Sequence, residues 1–235
     1  MTFVLVHGGG FGASCWDAVV PLLDGDVLAV DLPGRGKHPA DLATVTVADF
    51  VDSVVADITD AGLDDVVLVG HSLAGITLPG VAARVGPRLR HIAFVSCSVP
   101  PQGLAVSDVL GSLSPSLEKL AADLGADLVD PEGGLAPEFV QAMFCNDMTP
   151  ELAQLTLDLT VPEAVGVISE PIDLAGLDQP IPQTYVRLLQ DVSLLPEAQT
   201  RMAANLREPT IIDVDAGHMV MISKPDALAE VLNRI

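Results

Sequence analysis

Four short apolar runs punctuate the first hundred positions: Phe3–Val6, Val27–Val30, Val66–Val69 and Ile92–Val95. None alternates with polar residues and all are rich in β-branched types. Each therefore reads as a strand buried on both faces, the condition of strands in a parallel sheet. Between the second and third runs, Val47–Ala61 places Val47, Phe50, Val51, Val54, Val55 and Ile58 at helical spacing. Between the third and fourth, Leu73–Val85 reads the same way. Strand and helix in alternation demand right-handed crossovers and a mostly parallel sheet flanked by helices, an α/β fold.

The pattern breaks after the fourth strand. Ser96–Pro182 is rich in proline and acidic residues and holds amphipathic pieces such as Ser116–Leu124 and Pro150–Leu159. It reads as a mainly helical insertion over 100–181. Alternation resumes with a strand at Thr184–Leu189, a helix at Pro196–Leu206, a strand at Thr210–Val214 and a helix from Pro225, well placed for a first helical turn, to Ile235. The expected division is a core of 1–99 and 182–235 around that insertion, within the length of one domain.

Charge narrows the function. The 235 residues carry 11 Lys+Arg against 32 Asp+Glu, a formal net charge of −21. A polyanion or an anionic bilayer surface would be repelled, so neither nucleic acid nor membrane is an expected partner. Mean hydropathy of +0.47 keeps the chain out of the disordered class. Fourteen acidic residues and one basic residue, Lys119, fall between Pro101 and Pro180. A solvated surface accounts for such a run; a sharper expectation is a field that favours neutral or cationic substrates over anionic ones. Cys15, Cys97 and Cys145 are too few and scattered for a disulfide framework or a zinc site, and read as small buried hydrophobes. The N-terminus lacks the basic region of a signal peptide, and no stretch approaches the ~20 apolar residues of a bilayer span. The default compartment is the cytoplasm.

Chemistry concentrates where the third strand ends. Val66–Val69 runs into Gly70-His71-Ser72-Leu73-Ala74-Gly75 and then a helical pattern. This is a G-x-S-x-small turn between strand and helix, the context in which a serine is held at a sharp bend with its hydroxyl exposed. Ala74 stands where the pattern's second glycine usually falls. The N–H of Leu73, at a helix start, can hold a developing oxyanion. A second donor is expected from the loop after the first strand, His7-Gly8-Gly9-Gly10, with Gly9 assigned and Gly10 the near alternative. Ser72 needs a base. His7 and His71 belong to the two turns and brace them; His38 and His91 suit surface or capping roles. His218, in the small-residue loop after the last strand, is the base. The acid should follow an earlier strand in the order Ser, acid, His. Asp191, just after Thr184–Leu189, is placed for it; Asp213 and Asp215 are less able to curl round, and Asp173 and Asp178 precede the strand at its wrong end.

These residues resemble the α/β-hydrolase superfamily over the whole chain, and more narrowly its methylesterase/hydroxynitrile-lyase group. The resemblance rests on Phe3–His7, Trp16, Asp31-Leu32-Pro33-Gly34, Gly70–Gly75, Leu195-Pro196-Glu197, and Gly217-His218 followed by Ser223-Lys224-Pro225. It implies a helical cap over roughly Pro100–Ile181, and its triad acid falls on Asp191. Lyase members resembled here carry a lysine right after the catalytic histidine and a threonine beside the oxyanion loop; this chain has Met219 and Gly8 instead. The expected activity is therefore hydrolysis of a small ester or lactone through Ser72, His218 and Asp191, without metal or organic cofactor. Candidate pocket residues are Gly10, Phe11, Trp16, Phe139, Met143, Phe144 and Met219, with core packing the plainer role for each. The expected partner is a small neutral ester, with a homodimer left open as an assembly. Competing expectations on the same scaffold are a cofactor-free dioxygenase, a C–C bond hydrolase or lyase, and a non-catalytic small-molecule receptor.

Overall fold

A computed structural model describes residues 1–113, Lys119 and 134–235. Six strands form one parallel sheet: β1 (Thr2–Val6), β2 (Asp26–Val30), β3 (Val66–His71), β4 (Leu89–Val95), β5 (Gln183–Leu188) and β6 (Thr210–Val214), in the spatial order β2-β1-β3-β4-β5-β6. β1, β3 and the Ile92–Val95 end of β4 are buried throughout, as their unbroken apolar runs require, whereas Val27, Leu28 and Ala29 of β2 are only half-buried because β2 is an edge strand. Val4, Leu68, Ile92, Phe94 and Tyr185 enter one core cluster, which holds Phe50, Val54 and Ile58 of the Val47–Asp60 helix. Their neighbours Phe3, Leu5, Val67, Val69, Val95 and Val186 point the other way, into a cluster with Leu228 and Leu232 of the Pro225–Leu232 helix. Burying each such side chain contributes roughly 1.5–3 kcal/mol.

The helix expected at Val47–Ala61 spans Val47–Asp60 and starts at a capping box, in which Thr46 Oγ1 accepts the Asp49 N–H and the Asp49 carboxylate accepts the Thr46 N–H. The stretch expected as one helix, Leu73–Val85, is two pieces: a 3-10 turn at Ser72–Ile76, then an α-helix at Leu78–Val85. Pro79 explains the restart, since it has no N–H and fits only a first turn. Similarly, a short helix at Val220–Ser223 precedes the last one, which ends at Leu232.

Between β4 and β5 the described residues form α-helices at Val106–Leu113, Pro137–Phe144 and Pro150–Asp158, with 3-10 turns at Val165–Ser169 and Ala175–Asp178. The expected helix at Ser116–Leu124 lies, but for Lys119, outside the described residues. Among the described residues no helix is long and apolar enough to cross a membrane. All three cysteines are buried and free. Because every strand runs the same way, the carboxyl ends of β3, β4, β5 and β6 share one edge, and the loops leaving it meet there.

Candidate active site

Ser72 follows β3 directly and adopts φ 53°, left-handed backbone that a non-glycine residue rarely takes. The turn survives because its neighbours leave room. A Cβ on Gly70 would lie 2.7 Å from Leu78 Cδ1 and 3.1 Å from Ala74 Cβ, so Ala74 is tolerated because position 70 is bare. A Cβ on Gly75 would lie 2.3 Å from the Ser98 carbonyl oxygen. The Ser98 N–H donates to the Ser72 carbonyl at 2.9 Å, tying the turn to the end of β4.

His218 leaves the loop after β6 and brings its Nε2 to 2.9 Å from Ser72 Oγ. Its Nδ1 lies 2.7 Å from Asp191 Oδ2. A carboxylate only accepts, so Nδ1 carries the proton and Nε2 is free to accept from the serine hydroxyl. Asp191 is 2% exposed and fully engaged: Oδ2 also accepts Ser96 Oγ at 2.7 Å, and Oδ1 accepts the Ser193 and Leu194 N–H groups, each at 2.8 Å. Such bonds stabilise a buried anion that would otherwise be costly. His71 holds the other side of His218. Its Nε2 lies 2.9 Å from the His218 carbonyl, which makes Nε2 the donor; its Nδ1 is buried without a partner. Burial, then the neighbouring His218, push the His71 pKa well below its ordinary value. The ring is therefore a neutral brace.

The glycine loop after β1 closes the site from the other side. His7 Nε2 accepts the Leu32 N–H at 3.1 Å and its Nδ1 donates to the Gly8 carbonyl at 2.8 Å. Burial, aided by the Arg35 charge, lowers the His7 pKa to about 4. A Cβ on Gly8 would sit 2.9 Å from Ser72 Cβ, so the loop approaches the serine too closely for a side chain there. Gly10, at φ 74°, donates its N–H to Glu163 Oε2 at 2.8 Å, and its carbonyl accepts the Val161 N–H at 2.9 Å. The Gly10 N–H, the alternative oxyanion donor, is thus already engaged. Among the described residues neither the Gly9 nor the Leu73 N–H has a partner outside its own element.

Phe11, Trp16, Phe139, Met143, Phe144 and Met219 fall in one buried cluster. Phe144 stacks on the His218 ring with centroids 5.1 Å apart, and Phe11 and Phe139 each meet Phe144 edge-on at 5.8 Å. Trp16 differs: it is wholly enclosed and meets His71 edge-on at 6.4 Å, so it packs behind the brace instead of lining a pocket. Met219 is likewise wholly enclosed. His38 pairs at 3.6 Å with Asp57, and His91 Nε2 lies 2.9 Å from Thr184 Oγ1, both away from Ser72. Asp213 is committed to Arg187 and Asp215 to Gln190.

Several site residues escaped the sequence. Ser96 stands at the end of β4, and a lone serine after a strand carries no signal that its hydroxyl will meet Asp191. Asn146 and Asp147 tie the insertion to both loops: Asn146 Nδ2 donates to the Gln190 carbonyl, and Asp147 Oδ2 accepts the Gly217 N–H at 2.7 Å and Ser223 Oγ at 2.8 Å. Nothing distinguishes them in a run of acidic residues. Arg35 and Glu163 pair with side chains only 2% and 9% exposed. Among the described residues no cluster of His, Cys, Asp and Glu could hold a metal ion.

Comparison with known proteins agrees with this architecture. Residues 3–231 match the family model described as "Alpha/beta hydrolase family". The chain is 28% identical to "Methylesterase 9" of Arabidopsis thaliana, covering 99% of this chain and 97% of that one. It is 29% identical to "Carbendazim hydrolyzing esterase" of Nocardioides sp. (strain SG-4G), covering 98% and 97%. Among solved structures, an extracellular alpha/beta-hydrolase from a Paenibacillus species superposes with a TM-score of 0.84 at 25% identity, covering 100% of this chain and 98% of that one. With nearly its whole length inside the family model, and with its similarity running to the methylesterases, the chain belongs to the alpha/beta hydrolase family.

Proposed function

We propose that the protein hydrolyses a small, neutral carboxylic ester through an acyl-enzyme on Ser72. The observation that carries this reading is the unbroken line of hydrogen bonds from Ser72 Oγ through His218 to Asp191. His218 Nε2 takes the hydroxyl proton as Ser72 attacks the ester carbonyl. Asp191 keeps the imidazole in the tautomer with Nδ1 protonated and stabilises the cation that forms. The N–H groups of Gly9 and Leu73 receive the oxyanion; the engagement of Gly10 by Glu163 supports Gly9 over Gly10 in that role. The protonated His218 returns its proton to the leaving alcohol, and water repeats the sequence on the acyl-enzyme.

Gly8 supports hydrolysis over cyanohydrin cleavage. The threonine of the lyases would have to place its side chain where a Cβ already comes within 2.9 Å of Ser72 Cβ. Met219, wholly enclosed, offers no charge beside His218 where the lyases carry lysine. The apolar rings around His218 favour an aryl or alkyl acyl group.

The test is hydrolysis of p-nitrophenyl and methyl aryl esters by the wild type and Ser72→Ala. The variant should lose roughly 10³-fold or more of kcat, as removal of a triad nucleophile does. A variant as active as the wild type overturns the assignment.

A further inference from the structure

The Arg35–Glu163 pair is buried, costly to desolvate and beside the glycine loop. We propose that Glu163 is a positioning residue for the oxyanion hole and that Arg35 neutralises it there; this rests on the reading of Ser72 as nucleophile.

The geometry is a two-handed hold on Gly10. The strap 161–163 gives an N–H to its carbonyl and takes its N–H on Glu163 Oε2. The same carboxylate oxygen lies 3.1 Å from where a Cβ on Gly9 would be, so it sits against the residue whose N–H faces the reaction. Its other oxygen accepts the Ala164 N–H at 2.7 Å and pairs with Arg35. With Gly10 fixed at both polar groups and His7 fixed to Leu32 and Gly8, Gly9 is left between two anchors with its N–H free.

A carboxylate in that position brings a difficulty. Gly9, Leu73 and Glu163 line one narrow crevice, and the Glu163 and Arg35 side chains are almost wholly withdrawn from solvent, so charge there is poorly screened. A bare anion beside the hole would oppose the oxyanion that forms in it. Arg35 removes that opposition. It comes from the loop after β2, where Gly34 at φ 91° and Gly36 at φ 45° flank it and fold the loop inward. Its guanidinium lies over the Phe50 ring at 5.7 Å and donates to the Pro33 carbonyl at 3.1 Å, so it is held without solvent. The pair thus acts as one neutral clamp, able to supply a strong acceptor to Gly10 without a net field at Gly9.

The experiment compares Glu163→Ala, Glu163→Gln, Arg35→Met and the double variant Arg35→Met/Glu163→Gln. Two readouts are used: kcat and KM for a p-nitrophenyl ester, and the rate of covalent labelling by a fluorophosphonate, whose phosphoryl oxygen occupies the hole without ester turnover. Glu163→Ala should lower kcat and the labelling rate by about 10- to 100-fold, less than the loss of an oxyanion donor itself, with KM changed less than about threefold. Glu163→Gln keeps an oxygen for the Gly10 N–H and should recover most of both rates. Arg35→Met alone should be slow, and adding Glu163→Gln should restore it, since the uncompensated anion is then gone. If Arg35→Met does not fold, the Ala-against-Gln contrast at 163 carries the test. Variants that melt earlier but label and turn over within threefold of the wild type overturn the clamp. Equal rates in Glu163→Ala and Glu163→Gln also overturn it. A wild type that does not label at Ser72 overturns the reading beneath it, whereas wild-type labelling that Ser72→Ala abolishes and Glu163→Ala leaves intact overturns the clamp alone.

Discussion

Ser96 shows how much a single side chain can be asked to do. It sits at φ 43°, a conformation that costs a residue with a Cβ on the order of 1 kcal/mol or more. Its N–H donates to the Val186 carbonyl and its hydroxyl to Asp191, so the strained position joins β4 to the acid. A hydrogen bond to a charged group contributes about 1.5–3 kcal/mol. Ser96→Ala should therefore lower kcat roughly tenfold with little change in KM, and Ser96→Gly, which relieves the strain but also lacks the hydroxyl, should lose the same activity with a smaller drop in melting temperature. Steady-state kinetics beside thermal unfolding separates the two effects; a fully active Ser96→Gly would show the bond to be idle. Phe144, stacked on His218, belongs to the same scale: it covers one face of the imidazole.

At the scale of elements, the strand–turn–helix unit carrying Ser72 depends on absences. The Gly75 position faces the Ser98 carbonyl, where even a methyl group has no room. Gly75→Ala should destabilise by at least the roughly 1–3 kcal/mol of an overpacked core site, and should lower activity by moving Ser98 and the Ser72 carbonyl it holds; urea unfolding and ester turnover test both. This unit could be read in the sequence because its parts are contiguous: a run buried on both faces, a bend of small residues, a helix. The sheet was readable for the same reason, since two covered faces leave a signature in four consecutive residues. The split at Pro79 was written there too, but helical periodicity masked it. What could not be read is what only folding makes adjacent. Glu163 meets Gly10 across 153 positions, and nothing near either announces the other. Asp147, in the acidic insertion, looks like its solvated neighbours until Gly217 and Ser223 are brought to it.

Across the whole molecule, charge and burial set how the protein answers to solution. His7 and His71 are enclosed as neutral rings, with pKa values lowered in the fold, His7 to about 4. The unfolded chain binds protons at these residues near pH 6.5 while the folded chain does not, so stability is fully present above that pH and falls as pH drops towards 4. For His7 alone the shift corresponds to about 3 kcal/mol. The urea midpoint should fall over this window, and His7→Gln should flatten the fall if its amide can serve the Leu32 N–H; a midpoint independent of pH between 6.5 and 4 would contradict it. The net charge of −21 is felt differently. Glu163 and Asp147 are turned to internal use, but most of the described acids of the insertion remain in solvent, and kcat/KM for an anionic ester should rise with salt relative to a matched neutral one. Trp16, the sole tryptophan, lies against His71, which holds the carbonyl of His218. All tryptophan emission therefore issues from beside the ring that holds His218 in place, and its change during refolding is a direct optical gauge of when that corner of the molecule assembles.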